Sequence, residues 1–408
     1  MGTLPTMRGW GIAVALFLLL GLTAPARADF PFGSTQGDVY DYARLRIKNG
    51  SCDGVPDGQP RPPGSDLPAN FDCRDTWKLS DYASHVGEDD YDPLVNLNPQ
   101  EFFGVRGPGT NVAWQTTTGR PDTVIAVMDS GIRWDEDRPE LMRKFALNRG
   151  ELPKPNGGGR GGSLRDYDAN ADGVFNVADY ANDARARENA LDNNKLLDPG
   201  DLIRAFSDGV DDDNNGYVDD ISGWDFFEDD NDPNDDVDYG HGTGESEDSA
   251  GEIGTKLTPQ CPNCMLMEMR VGDSFVADSN HFAEASVYAV DNGASVIQSA
   301  LGALNHTGFA QTAVDYAYNR GVLFVASAAD ESAGHHNQPS ALDHAMVVNS
   351  ITTAVDDVQK PATWLAFNGC TNFGGYIWVS VASTSCSSDA VGQSAGIAGL
   401  LYSAARNA

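Results

Sequence analysis

The chain has 408 residues, 40% of them hydrophobic, which is enough to bury a large core and to leave room for an N-terminal extension. Its 60 acidic against 27 basic residues give a formal charge of -33. Such a surface repels nucleic acid and anionic membranes, and suits an exported protein or one that binds divalent cations.

The first element is a targeting signal. Arg8 is followed by the apolar run 10–24 and then by Ala26-Arg27-Ala28, a small-x-small cleavage pattern. Residues 1–28 therefore read as a secretory signal peptide, and the mature protein is expected to be secreted, periplasmic or on the cell surface. No later stretch is long enough to span a bilayer. Export favours disulfides, and sequence order pairs Cys52 with Cys73, Cys261 with Cys264, and Cys370 with Cys386, although six cysteines allow about fifteen connectivities. A redox or zinc reading of Cys261-Pro-Asn-Cys264 is weaker, because no second CxxC or His pair accompanies it.

Residues 29–110 are rich in Pro, Gly and Asp without sustained periodicity and read as an extension. From Thr123 the pattern changes to a buried strand, Thr123-Val-Ile-Ala-Val-Met-Asp129, ending in the turn Ser130-Gly131. An acidic insert occupies 150–238. Strands are then predicted over 265–271, 294–299 and 322–327, with amphipathic helices over 282–292 and 309–319, each closed by a glycine. Helices between short Val/Ile/Leu runs imply right-handed crossovers, and so an α/β fold with a parallel sheet covered by helices on both faces. Ligands in such sheets sit at the carboxyl ends of the strands.

The insert carries two loops with calcium-like spacing. Asp168, Asn170 and Asp172 stand at positions 1, 3 and 5, Gly173 at 6, the Val174 carbonyl at 7, Asn176 at 9 and Asp179 at 12. Asp211, Asp213, Asn215, Gly216, Tyr217 and Asp219 repeat positions 1, 3, 5, 6, 7 and 9, led by the helix-like 198–206. A hydrated Asn/Asp turn is the bland alternative for both, and the acidic run 229–238 either holds a third cation or is simply solvated.

Three motifs fall where acyl-transfer chemistry would need them: Asp129-Ser130-Gly131, His241-Gly242-Thr243, and Gly392-Gln393-Ser394 before the small-residue run 395–399. Singly, each residue is more often a turn cap, a surface His or a helix N-cap. In this order, with Asp291 to Ile297, Ala300 to Gly302 and Val325 to Glu331, the set resembles the subtilisin-like serine peptidase (subtilase, peptidase S8) family over about 111–408. The resemblance implies a subtilisin-like fold and a polypeptide substrate cleaved through an acyl-enzyme. Ser394 would be the nucleophile, His241 the base and Asp129 its orienter, with Asp330 and the Ser394 N–H at the oxyanion.

Four departures accompany the resemblance. Asp330 replaces the usual Asn, and a carboxylate cannot donate to an oxyanion unless protonated. The run after His241, Gly244 to Glu252, is acidic where a small apolar helix is usual, so Glu245, Glu247 and Asp248 are expected to face solvent or a cation. Gln393 stands where Thr is usual and the downstream Pro is missing; the sequence stops at Ala408, which fits truncation. The competing expectation is a catalytically degenerate, calcium-binding extracellular interaction protein of the same fold. A third is an exported calcium-loaded scaffold whose triad resemblance is accidental.

Overall fold

The computed structural model describes residues 113, 117–134, 139–188, 197–251, 259–352, 366–383 and 385–407. The signal-peptide pattern, the 29–110 extension and the Cys52/Cys73 pair lie outside them. Strand β1 (Val124–Asp129) alternates cleanly between two cores. Ile125 and Val127 point into one, Ala126 and Met128 into the other, which is how a central strand buried on both faces must divide its side chains.

The remaining strands follow in chain order: β2 (Trp224–Asp225), β3 (Met265–Arg270), β4 (Val276–Ala277), β5 (Val296–Ser299), β6 (Gly302–Ala303), β7 (Leu323–Ser327), β8 (Ala345–Thr352), β9 (Ala366–Phe367) and β10 (Val379–Ala382). The main sheet has the order β10-β8-β7-β5-β1-β3-β2 with all pairings parallel, and β9 adds antiparallel to β8. β4 and β6 form a separate two-stranded parallel ribbon. Helices α1 (His241–Ala250) and α4 (Ser387–Asn407) cover one face, while α2 (Ser279–Asp291) and α3 (Gly308–Asn319) cover the other.

The chain order of strands and helices agrees with the periodicity reading, with boundaries moved by a few residues. The small residues of α4 have a packing reason. A Cβ on Gly396 would lie 2.6 Å from the Ser249 carbonyl oxygen of α1, so only glycine lets the two helices approach this closely.

The acidic insert is not a tail. It carries its own core of Leu152, Tyr167, Phe175, Tyr180, Leu202 and Phe206, among others. The helix Pro199–Phe206 is capped by the Asp198 side chain accepting from the Asp201 N–H. Apolar residues interleaved with the acids therefore win over hydration of the acidic run.

Disulfides join Cys261 to Cys264 and Cys370 to Cys386, as sequence order paired them. No helix of the described residues is long and apolar enough to cross a membrane.

Candidate active site

The carboxyl end of β1 presents Asp129, fully buried, whose Oδ1 accepts from the Ser130 N–H at 2.8 Å. His241 is the first residue of α1, and its Nδ1 lies 2.8 Å from the same Asp129 oxygen. A Cβ on Gly242 would sit 2.3 Å from the Gly131 carbonyl oxygen, so glycine after the histidine is what allows α1 to start against the β1 turn. The other ring nitrogen, Nε2, lies 3.0 Å from the hydroxyl of Ser388. An acid, an imidazole and an alcohol are thus in hydrogen-bond sequence, the arrangement that activates a serine.

The alcohol is not the expected one. Ser394 is 6% exposed in the third turn of α4, and its Oγ donates to the Ala390 carbonyl oxygen at 2.7 Å. The expectation that Ser394 opens this helix fails because α4 already starts at Ser387; over the six residues from Ser388 to Ser394 a side chain is displaced by about 9 Å and about 240° around the axis. Ser388, not Ser394, meets His241. A hydroxyl residue, Ser387, stands directly before Ser388, where Gln393 had looked anomalous before Ser394. The hydroxyl pair Ser387-Ser388, with Asp389 in the first helical turn, was the available signal for a helix start.

Asp330 reaches the start of α4. Its Oδ1 accepts from the Ser387 N–H at 3.0 Å and from the Ser387 hydroxyl, so it caps the helix that carries Ser388.

Residues 120–405 match the subtilase family. The chain belongs to that family. Thermitase from Thermoactinomyces vulgaris is 31% identical to it over a region covering 46% of this chain and 69% of thermitase. A thermophilic serine proteinase from a Bacillus species (strain AK1) is also 31% identical, over 40% of this chain and 37% of that protein, so the chain spans well under two thirds of this second relative. Among solved structures, a lanthipeptide protease is similar at 18% identity and a TM-score of 0.43, covering 81% of this chain and 84% of that one. The PatG macrocyclase domain is similar at 17% identity and 0.44, covering 76% and 84%.

Beneath Asp129, His241 and Ser388 lies a buried acidic layer. Glu245 and Glu247 were expected to face solvent or a cation, but both are buried in α1. The helix is not displaced; it packs on α4 and holds these side chains inside. Burial pushes the Glu245 carboxyl up to about 8, helped by the nearby Asp129, Asp389 and Asp330 charges against the opposing pull of His241. Glu268 on β3, fully buried, is raised well above the ordinary range by burial and by Asp129, although Ser246 donates to it at 3.2 Å. Retention of the Glu245 proton removes a charge that would otherwise oppose burial of this helix face. Burial alone would lower His241, but the Asp129 charge and hydrogen bond, with Glu245 and Asp330, outweigh it and raise the imidazole to about 9.

The loop that delivers His241 is pinned by Arg270, a buried residue at the end of β3 that sequence reasoning did not single out. Its guanidinium pairs with Asp225 of β2, Asp236 and Asp273, each at 2.6 Å. Asp235 then accepts from the N–H groups of Tyr239 and Gly240 immediately before His241.

The two candidate cation loops differ in whether their carboxylate oxygens converge, since Asp211 and Asp213 accept from their own loop's backbone as Asp168 and Asp172 do. In the first, the Asp179 Oδ1 accepts from the Ala169 and Asn170 N–H groups and its Oδ2 from the Asn176 N–H, while Asp168 and Asp172 accept from the loop's own backbone. Burial raises Asp179 to about 7 despite these bonds. Among the described residues, the group of acids whose oxygens converge as cation ligands is instead Glu151, Asp211 and Asp213, within 4.8 Å of one another. Asp168, Asp172 and Asp179 do not form such a group. Asp219 is also turned away, its carboxylate accepting from the Asp208 and Gly209 N–H groups at 2.9 and 2.7 Å. The all-oxygen donor set of the second loop, with an unpaired buried Glu151 oxygen, fits a hard divalent cation of the calcium type.

Proposed function

We propose that this subtilase is an exported serine endopeptidase that cleaves polypeptides through an acyl-enzyme, with Ser388, His241 and Asp129 as its triad. The observation that carries the reading is His241 bridging a buried carboxylate and a hydroxyl, at 2.8 and 3.0 Å, from three separate elements. Ser388 Oγ attacks the substrate carbonyl while His241 Nε2 takes its proton and later returns it to the departing amine. Asp129 holds the ring with Nδ1–H toward the carboxylate and stabilises the imidazolium. The backbone N–H of Ser388, at the amino end of α4, would donate to the developing oxyanion, assisted by the helix dipole.

Calcium fits the insert. Bound to the second loop through Asp211 and Asp213, with Asn215 and the Tyr217 carbonyl as further donors, it would neutralise repelling carboxylates and brace the lobe that runs through β2 toward His241. Export is supported by the Arg8 to Ala28 pattern and by two disulfides in one chain.

A fluorophosphonate probe tests the triad. Labelling should map to Ser388, vanish in Ser388→Ala and persist in Ser394→Ala. Retained labelling in Ser388→Ala, or its loss in Ser394→Ala with the fold intact, would overturn this assignment.

A further inference from the structure

The acidic loop 211–219 lies against a residue from 60 positions upstream that its spacing does not contain. Glu151 is fully buried, its Oε1 accepts from the Asp213 N–H at 3.1 Å, and its Oε2 has no hydrogen-bond partner. A buried carboxylate oxygen without a donor costs several kcal/mol, so it demands a proton or a cation. The same side chain has an oxygen within 4.8 Å of oxygens of Asp211 and Asp213. Arg160, which reaches into this lobe, pairs with Asp208 and Asp212 at 3.1 and 3.0 Å, and its Nε donates to the Glu151 backbone carbonyl at 3.2 Å.

The surroundings are built to keep the three acids together. Asn148 donates to Asp213 at 2.9 Å and to Asp220 at 2.7 Å, tying the strand-side segment to the loop. A Cβ on Gly150 would lie 2.4 Å from the Asp213 carboxylate, so glycine leaves that carboxylate its place beside Glu151. A cavity of about 750 Å³ lined in part by Asn148, Gly150, Asp213 and Asp220 opens beside the cluster and admits water, which hard cations retain as ligands.

We infer that Glu151 is the closing carboxylate ligand of a calcium ion held by Asp211 and Asp213, and that Asp219 is a structural cap and not a ligand. This inference rests on the calcium reading above and adds to it the remote residue that ties the loop to the segment after β1. It also selects the second loop, whose acids have oxygens converging with that of Glu151, over the first, whose acids form no such group among the described residues.

The test uses the full chain in a Ser388→Ala background to prevent self-digestion, stripped of metal and titrated with calcium by calorimetry. A parallel titration with terbium reads luminescence sensitised by Tyr217 and Trp224, whose rings are 5.0 Å apart in this lobe. Near-UV circular dichroism verifies folding of each protein. The expected result is that Glu151→Gln weakens calcium binding at this site by about 10- to 100-fold and largely removes the calcium-induced rise in Tm, because ligand charge sets calcium affinity. Asp219→Asn and Asp179→Asn should retain the parent's affinity there. If Glu151→Gln does not fold, Glu151→Asp, with its shorter reach, should weaken binding by about tenfold.

Parental affinity in the Glu151 variant overturns the inference while leaving calcium binding intact, as does loss of the site in Asp219→Asn. No binding of either metal by the folded parent overturns the calcium reading itself. Neither outcome bears on Ser388 labelling, so the peptidase reading is judged separately.

Discussion

Replacing Glu245 with Gln should make the protein markedly more resistant to alkaline pH. Glu245 is buried one turn below His241, and its Oε2 has no hydrogen-bond partner. Its folded-state value of about 8 lies above the ordinary 4.5, so the native state holds this proton more tightly than the unfolded chain. The corresponding stability is fully present below about pH 4.5 and is lost as pH rises through about 8. At about 1.4 kcal/mol per pH unit between those values, the loss is on the order of 5 kcal/mol. Glutamine is nearly isosteric with the neutral acid and cannot ionise, so it removes this slope.

The assay is urea unfolding of calcium-loaded Ser388→Ala protein, with and without Glu245→Gln, at pH 5, 7 and 9. The two should differ little at pH 5, and the variant should gain progressively at pH 7 and 9, by several kcal/mol at the upper end. A stability difference that is the same at pH 5 and pH 9 would refute the claim that Glu245 is buried as the neutral acid. In the active protein, the pH profile gives a second readout. His241 must be neutral to accept the Ser388 proton, so kcat/KM rises as pH passes through its value of about 9, and removing the Glu245 charge should move that rise to lower pH.

Asp330→Asn should keep an acceptor for the Ser387 N–H and hydroxyl while turning an amide donor toward the oxyanion. An oxyanion donor is worth roughly 2.7 to 4 kcal/mol, so kcat at neutral pH should rise by at least about tenfold in a peptide-ester assay; an unchanged or lower kcat would count against a donor deficit at this site. Arg270→Met should destabilise the protein by about 3 to 5 kcal/mol in urea unfolding, because it leaves Asp225 buried without its cation. It should also lower kcat, since Asp236 loses its anchor beside the loop that ends at His241; wild-type stability would show that the Arg270 cluster contributes no net stability.

The sequence alone determined what depends on neighbours along the chain. The alternation of Ile125, Ala126, Val127 and Met128 fixes a doubly buried strand, and helical periodicity with closing glycines locates α2 and α3, because burial repeats with the local geometry of each element. Asp129 and His241 were legible because each sits at an element boundary with a glycine within two residues. The acidic loops were legible as spacing.

Only the tertiary structure decided among groups of equal local character. The stretch 383–394 offers several serines, and which one meets His241 depends on where α4 starts, set by Asp330 from a different segment. Whether Glu245 is solvated or buried as a neutral acid depends on the packing of α1 against α4, and whether the second loop is closed by Asp219 or Glu151 depends on a contact spanning 62 residues. The physical reason is common to all three. Proton affinity, cation affinity and nucleophilicity are set by desolvation and by charges within a few ångströms, and those neighbours come from distant parts of the chain.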